Sequence, residues 1–261
     1  MSKIRQAAVA GLFYPDDADQ LRSQIDQLMS AAAASGRPVK ALIAPHAGYI
    51  YSGPVAARAY AEMAPLRGRI RRVVLLGPSH RVAFHGLAAS SATAFATPLG
   101  NVPVDRAATD AVLALPQVRV LDAAHIQEHS LEVQLPFLQS VLDAFAVVPL
   151  VVGDASADDV AEVLETLWGG DETLIVISSD LSHYLDYASA RALDAATARA
   201  IATLDPQAID YDQACGRNPV KGLLVAARRH HLTGDILDLR NSGDTAGDRR
   251  RVVGYGAFAF G

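Results

Sequence analysis

The chain has 261 residues, 51% hydrophobic and 20% charged, with one cysteine and a formal net charge of -5. This composition suits a folded globular protein and excludes a disordered one, while the single cysteine excludes an intrachain disulfide. The negative charge provides no overall field to gather nucleic acid or an anionic membrane.

In chain order, a helical period over residues 17–34 leads into a β-branched run at 39–44, then a helix at 55–63 and a run at 70–76. A helix at 106–115, a run at 146–152, a helix at 157–167 and a run at 173–178 follow, then helices at 187–203 and 220–231. The four runs are almost continuously apolar, as expected of parallel strands covered on both faces. Strand and helix alternate, which predicts right-handed crossovers and a mainly parallel sheet with helices on both faces. Residues 235–240 and 252–260 flank the turn-rich SGDTAGDRR and read as a C-terminal antiparallel hairpin. No repeat or composition shift marks a boundary, so residues 1–261 are expected to form a single α/β domain. Residues 84–103 receive no assignment.

No apolar run approaches the ~20 residues a membrane helix needs. The N-terminal MSKIRQAAVAG also lacks an uninterrupted apolar stretch before Asp16 and Asp17. The expectation is a cytoplasmic protein with neither membrane nor nucleic acid among its partners. The clusters Arg67, Arg69, Arg71, Arg72 and Arg249, Arg250, Arg251 read as solvated charge.

In open α/β sheets ligands bind beyond the carboxyl ends of the strands. That rule selects three segments. ALIAPHAGYIYSGP places His46 after the run at 39–44, and VVLLGPSH places His80 after the run at 70–76. Neutral imidazole is the commonest metal ligand, and two at one sheet edge make half of a site. LIVISSDLSHY places Ser178, Ser179, Asp180 and His183 at the same edge. Asp180 is a candidate to orient an imidazole or accept a proton, and His183 to act as general acid or base. The blander reading makes Ser179 or Asp180 a helix cap. Cys215 lies in QACGRNPVKG, where Asn218 is expected to cap a helix opening at Pro219. A thiol just before a helix N-terminus, with Arg217 near, is expected to favour thiolate.

His125, Glu128 and His129 spell H-x-x-E-H, the inverted zinc-peptidase pattern, with Glu132 further on. Ser130 reads as the N-cap of a helix over LEVQLPFL that Pro136 shortens, which leaves both histidines outside it and argues against the peptidase. His129 is retained as a pocket candidate.

Taken in order, AVAGLFYP, APHAGYIYSG, GPSH, EHSLEVQLPF, SSDLSHY and CGRNP resemble the Memo family, whose microbial members are called AmmeMemoRadiSam system protein B. The resemblance spans nearly the whole chain. It implies a fold similar to the class III extradiol dioxygenases, which hold non-haem Fe(II) with two histidines and a carboxylate. For this chain it implies the metal ligands His46, His80 and Cys215, a catalytic role for His183, and pocket roles for Asp180 and His129. The cysteine departs from the carboxylate of the oxygen-activating triad, so Fe(II) is the first expectation while Cu and Zn also suit the ligand set.

The leading expectation is a metal-dependent redox or oxygenase-type enzyme for a small molecule, with Tyr49 and Tyr51 lining the pocket. The second is a non-catalytic scaffold that holds a metal or a peptide, and the resemblance implies radical SAM and AMMECR-type partner proteins. The third is cysteine nucleophile chemistry with His183 as base.

Overall fold

A computed structural model describes residues 3–261. The strands are β1 (Ile4–Arg5), β2 (Ala41–Ala44), β3 (Arg72–Pro78), β4 (Leu87–Ala89), β5 (Ala94–Thr97), β6 (Gly100–Pro103), β7 (Val118–Val120), β8 (Ala146–Val152), β9 (Thr173–Ser178), β10 (His183–Leu185), β11 (Gly234–Asn241) and β12 (Val252–Phe260). The helices are α1 (Ala18–Ser30), α2 (Tyr49–Ala61), α3 (Arg106–Val112), α4 (Ala123–Ile126), α5 (Leu135–Val141), α6 (Ala157–Thr166), α7 (Tyr187–Ala202), α8 (Arg217–Arg229) and α9 (Ser242–Thr245).

The main sheet runs β10-β12-β2-β9-β3-β8-β4-β7, with β11 also paired to β12. Its centre, β2-β9-β3-β8, is parallel throughout, and β12 pairs antiparallel with β2, β10 and β11. Both the mainly parallel α/β domain and the C-terminal antiparallel pair follow the sequence pattern. The unassigned residues 84–103 supply β4 to the main sheet and β5 and β6 to a small second sheet with β1.

The central strands are buried on both faces because each contributes alternate residues to two cores. Leu42, Val73, Leu75, Val147, Leu174 and Val176 meet Leu21, Ile25, Tyr60 and Phe137 on one side. Ile43, Val74, Leu76, Val148, Ile175 and Ile177 meet Val160, Leu164, Leu223 and Leu224 on the other.

Four expectations at the element ends are corrected. α2 starts at Tyr49, earlier than expected, and holds Pro54 in its interior. Pro54 has no N–H to offer the Ile50 carbonyl. Ser130 caps no helix: its hydroxyl donates to Pro78 O at 2.9 Å, and α5 begins at Leu135 with Pro136 in its first turn. α8 starts at Arg217 with Gly216 at its N-cap position, while Asn218 Nδ2 donates to Gly153 O at 2.9 Å. Neither Ser179 nor Asp180 begins a helix, since β10 follows.

Candidate metal centre at the carboxyl edge of the sheet

Adjacent parallel strands β2, β9 and β3 deliver His46, Asp180 and His80 just past their carboxyl ends. The CGRNP turn closes on them from α8. Gly216 permits the approach, because a Cβ there would lie 2.7 Å from Ser179 Cβ and 2.9 Å from Ser178 O. Likewise, a Cβ at Gly77 would lie 2.8 Å from Ser130 Oγ, so the glycine of GPSH admits the EHS turn beside β3.

One ligand atom each from His46, His80 and Cys215 falls within 4.8 Å of the others. His46 is buried, Cys215 partly buried and His80 exposed. His46 Nε2 lies 3.4 Å from Cys215 Sγ, and the His46 and His80 ring centres are 5.2 Å apart. Each imidazole has its Nδ1 engaged from behind: His46 Nδ1 lies 2.8 Å from Ser178 Oγ, and His80 Nδ1 lies 2.8 Å from Glu128 Oε1. Both Nε2 atoms are thereby left as the coordinating positions, the arrangement in which an outer partner fixes a ligand histidine. The donor set of two imidazoles and a thiol fits a borderline or soft transition metal.

Electrostatics favour a neutral imidazole at His46 and at His129. Burial holds His46 well below its ordinary value, and neighbouring His80, His129 and His183 push it the same way. Burial also lowers His129, to about 4, against the pull of Glu128. Burial alone would raise the Glu128 carboxyl, but hydrogen bonds from the His80 ring and main chain and from Ser130 bring it down to about 2. Glu128 thus stands as a carboxylate behind His80.

The expected thiolate at Cys215 is corrected for the metal-free protein. Burial of the thiol pushes its pKa up, and the Asp180 carboxyl adds to the shift. Arg217 offers no relief, since its guanidinium stacks on Tyr211 at 4.1 Å. Asp180 N–H donates to Cys215 Sγ at 3.3 Å.

Asp180 acts on the main chain of His46, accepting its N–H at 2.7 Å on Oδ1. Burial raises the Asp180 carboxyl to about 6, partly offset by the hydrogen bond from His46. His183 donates Nδ1–H to Leu181 O at 2.8 Å, and its Nε2 has no hydrogen-bond partner among the described residues. His129 stacks on His80 with ring centres 4.6 Å apart.

His46, His80, His129, Asp180 and His183 share one cavity of about 680 Å³. Tyr51 lines it as expected. Tyr49 does not, since its hydroxyl is buried and donates to Val133 O at 2.8 Å. The sequence reading missed the cavity wall formed by Leu12 and Phe13 and the rim residues Arg81, Tyr184 and Arg251. Phe13 packs on His129 at 4.9 Å, and AVAGLFYP contained the signal that could have found it. The role of Glu128 was also missed, although it stands directly before His129 in EHS.

The peptidase pattern does not assemble. His125 lies in α4 and its Nε2 donates to Ala88 O at 2.9 Å, whereas His129 stacks on His80 and Glu128 bonds the His80 ring.

Together the fold and the site define an α/β protein with a His/His/Cys group, fit for a transition metal, at the carboxyl edge of its sheet. A family model described as Memo-like protein matches residues 5–259. The chain belongs to this Memo-like family. A MEMO1 family protein of Aeropyrum pernix is 38% identical over 280 residues, covering 98% of this chain and 99% of the relative. The corresponding proteins of Aquifex aeolicus and Metallosphaera sedula are 37% and 35% identical over 97% and 98% of this chain, and over 97% and 99% of their own lengths.

Proposed function

We propose that this protein holds a transition metal on His46 Nε2, His80 Nε2 and Cys215 Sγ and uses it for redox or oxygenase-type chemistry on a small molecule in the adjoining cavity. The observation that carries the reading is the convergence of these three ligand atoms within 4.8 Å. Bound iron or copper would supply electron transfer and Lewis acidity there, and zinc Lewis acidity alone. Fe(II) is the first choice because the Memo-family resemblance implies a fold similar to the non-haem iron dioxygenases, and copper and zinc also suit the donor set.

The chain's own residues define the remaining roles. His183, with Nε2 free, moves a proton at the ligand. Asp180 fixes the His46 main chain. His129, held neutral by burial, lines the cavity beside His80. Metal analysis of purified wild type against a His46→Ala/Cys215→Ala variant tests the reading. Metal in the wild type and its loss from the variant support it, and equally little metal in both overturns it. Oxygen uptake by the Fe(II)-loaded protein with a panel of catechols tests the catalytic half, with turnover lost in His183→Ala as the supporting result.

A second reading is a metal- or peptide-binding scaffold, for which the exposed apolar rim of the cavity offers a contact surface; radical SAM and AMMECR-type partner proteins are what the family resemblance implies for it. Leu12 and Ile50 are 80% and 63% exposed there. Metal retention without oxygen uptake would select it.

A further inference from the structure

Two main-chain oxygens fix the protons in the buried chain behind His46, because a carbonyl can only accept. Pro45 O lies 2.9 Å from one terminal atom of the Gln134 side chain, which must therefore be the amide nitrogen. The Gln134 oxygen then faces the Tyr60 hydroxyl at 2.8 Å and accepts its proton. The same amide nitrogen donates to Ser178 Oγ at 2.7 Å. Ser178 has a single hydroxyl proton, and Ser130 O at 2.6 Å takes it. One acceptor position remains on Ser178 Oγ, and His46 Nδ1 stands 2.8 Å from it. Only a proton on Nδ1 completes that contact.

We propose that Ser178, its own proton taken by Ser130 O, is a positioning residue that keeps the His46 proton on Nδ1 and so presents Nε2 as a lone pair toward Cys215 and His80. The purpose of this device rests on the metal-site reading, but the proton placement itself needs no metal. His80 receives the same service from the Glu128 carboxylate. A neutral hydroxyl suits His46, which is fully buried beside Asp180, where a second carboxylate would be an uncompensated charge.

Removing the hydroxyl leaves Nδ1–H facing no acceptor, and the imidazole then moves its proton to Nε2, 3.4 Å from Cys215 Sγ. Long-range ¹⁵N–¹H NMR of the metal-free, full-length protein with labelled histidine reads this directly, with His46 assigned from the signals missing in His46→Ala. Wild type is expected to show protonated Nδ1 and bare Nε2. Ser178→Ala is expected to switch to Nε2–H, while Gln134→Met keeps Nδ1–H because Ser130 O still takes the Ser178 proton. In parallel, zinc titration is expected to show ~10–100-fold weaker binding for Ser178→Ala, the usual effect of losing an outer partner of a ligand histidine. Nε2–H in the wild type overturns the proposal, as does an unchanged pattern in Ser178→Ala or a full switch in Gln134→Met. If Ser178→Ala does not fold, the wild-type spectrum decides alone. The expected wild-type spectrum without zinc uptake upholds the proton placement and removes the metal reading instead.

Discussion

Glu128 grips His80 twice, accepting its main-chain N–H on Oε2 at 2.6 Å and facing its ring Nδ1 with Oε1 at 2.8 Å. Oε1 also accepts the main-chain N–H groups of His129 and Ser130, each at 2.9 Å. One buried carboxylate therefore orients a candidate ligand and shapes the turn that carries a cavity histidine. Glu128→Gln places an N–H₂ group among these donors. The expected result is zinc affinity lower by ~10–100-fold, read by competition with a chromophoric chelator, and stability lower by about 1–3 kcal/mol, read by urea unfolding.

Glu132 anchors the wall of the cavity. It is fully buried, pairs with Arg5, and accepts the Ala8 and Val9 N–H groups at 2.8 and 3.0 Å and the Tyr14 hydroxyl at 2.5 Å. This holds the segment from Arg5 to Tyr14, and with it Leu12 and Phe13, over the site. Arg5→Ala leaves that carboxylate without its cation, which for a buried pair costs about 3–5 kcal/mol. Urea unfolding measures the loss; a change under about 1 kcal/mol would place the pair in the surface class.

Asp105 gives a pH dependence away from the site. It caps α3 through Ala108 N–H at 3.0 Å and pairs with Arg72 Nε at 2.7 Å. Partial burial alone would raise its carboxyl, but these two partners hold it below the usual carboxylate range. A native pKa below the unfolded value means that the stabilisation is present above about 3.9 and is lost as pH falls through the native value. Asp105→Ala is expected to cost about 1 kcal/mol at pH 7, with the gap to wild type closing in acid. Urea midpoints at pH 7 and in acid check the sign, and a gap that widens in acid would refute it.

Cys215 separates the metal reading from the nucleophile reading. Among the described residues its sulfur meets the ring of His46, at 3.4 Å. Zinc is expected to slow iodoacetamide labelling of wild-type Cys215 strongly and to have little effect in His46→Ala. Equal labelling rates with and without zinc in the wild type would favour a free nucleophile.

The strands at 146–152 and 173–178 were legible to the residue because continuous β-branched runs are what a doubly covered parallel strand requires. The start of α2 was not, since Pro54 reads locally as a break and yet lies inside the helix. Residues 84–103 were illegible for a different reason: short strands such as β4 and β5 depend on partners far along the chain. At the site, His46 and His80 could be placed by the strand-end rule alone, whereas Cys215 was brought in by the whole-chain likeness. Its ionisation was misread, because the burial of the thiol and the Asp180 carboxyl beside it are tertiary facts with no local trace. Ser178 was placed at the sheet edge without a role and Gln134 was not singled out, because their roles lie in the hydrogen bonds of a buried network.

The central claim, that His46, His80 and Cys215 bind one ion, is tested most directly by zinc-edge X-ray absorption on the zinc-loaded full-length protein. The expected spectrum shows one sulfur at about 2.3 Å with nitrogen neighbours at about 2.0–2.1 Å, and Cys215→Ser loses the sulfur shell. A wild-type spectrum with no sulfur neighbour, or one that Cys215→Ser reproduces, would contradict it.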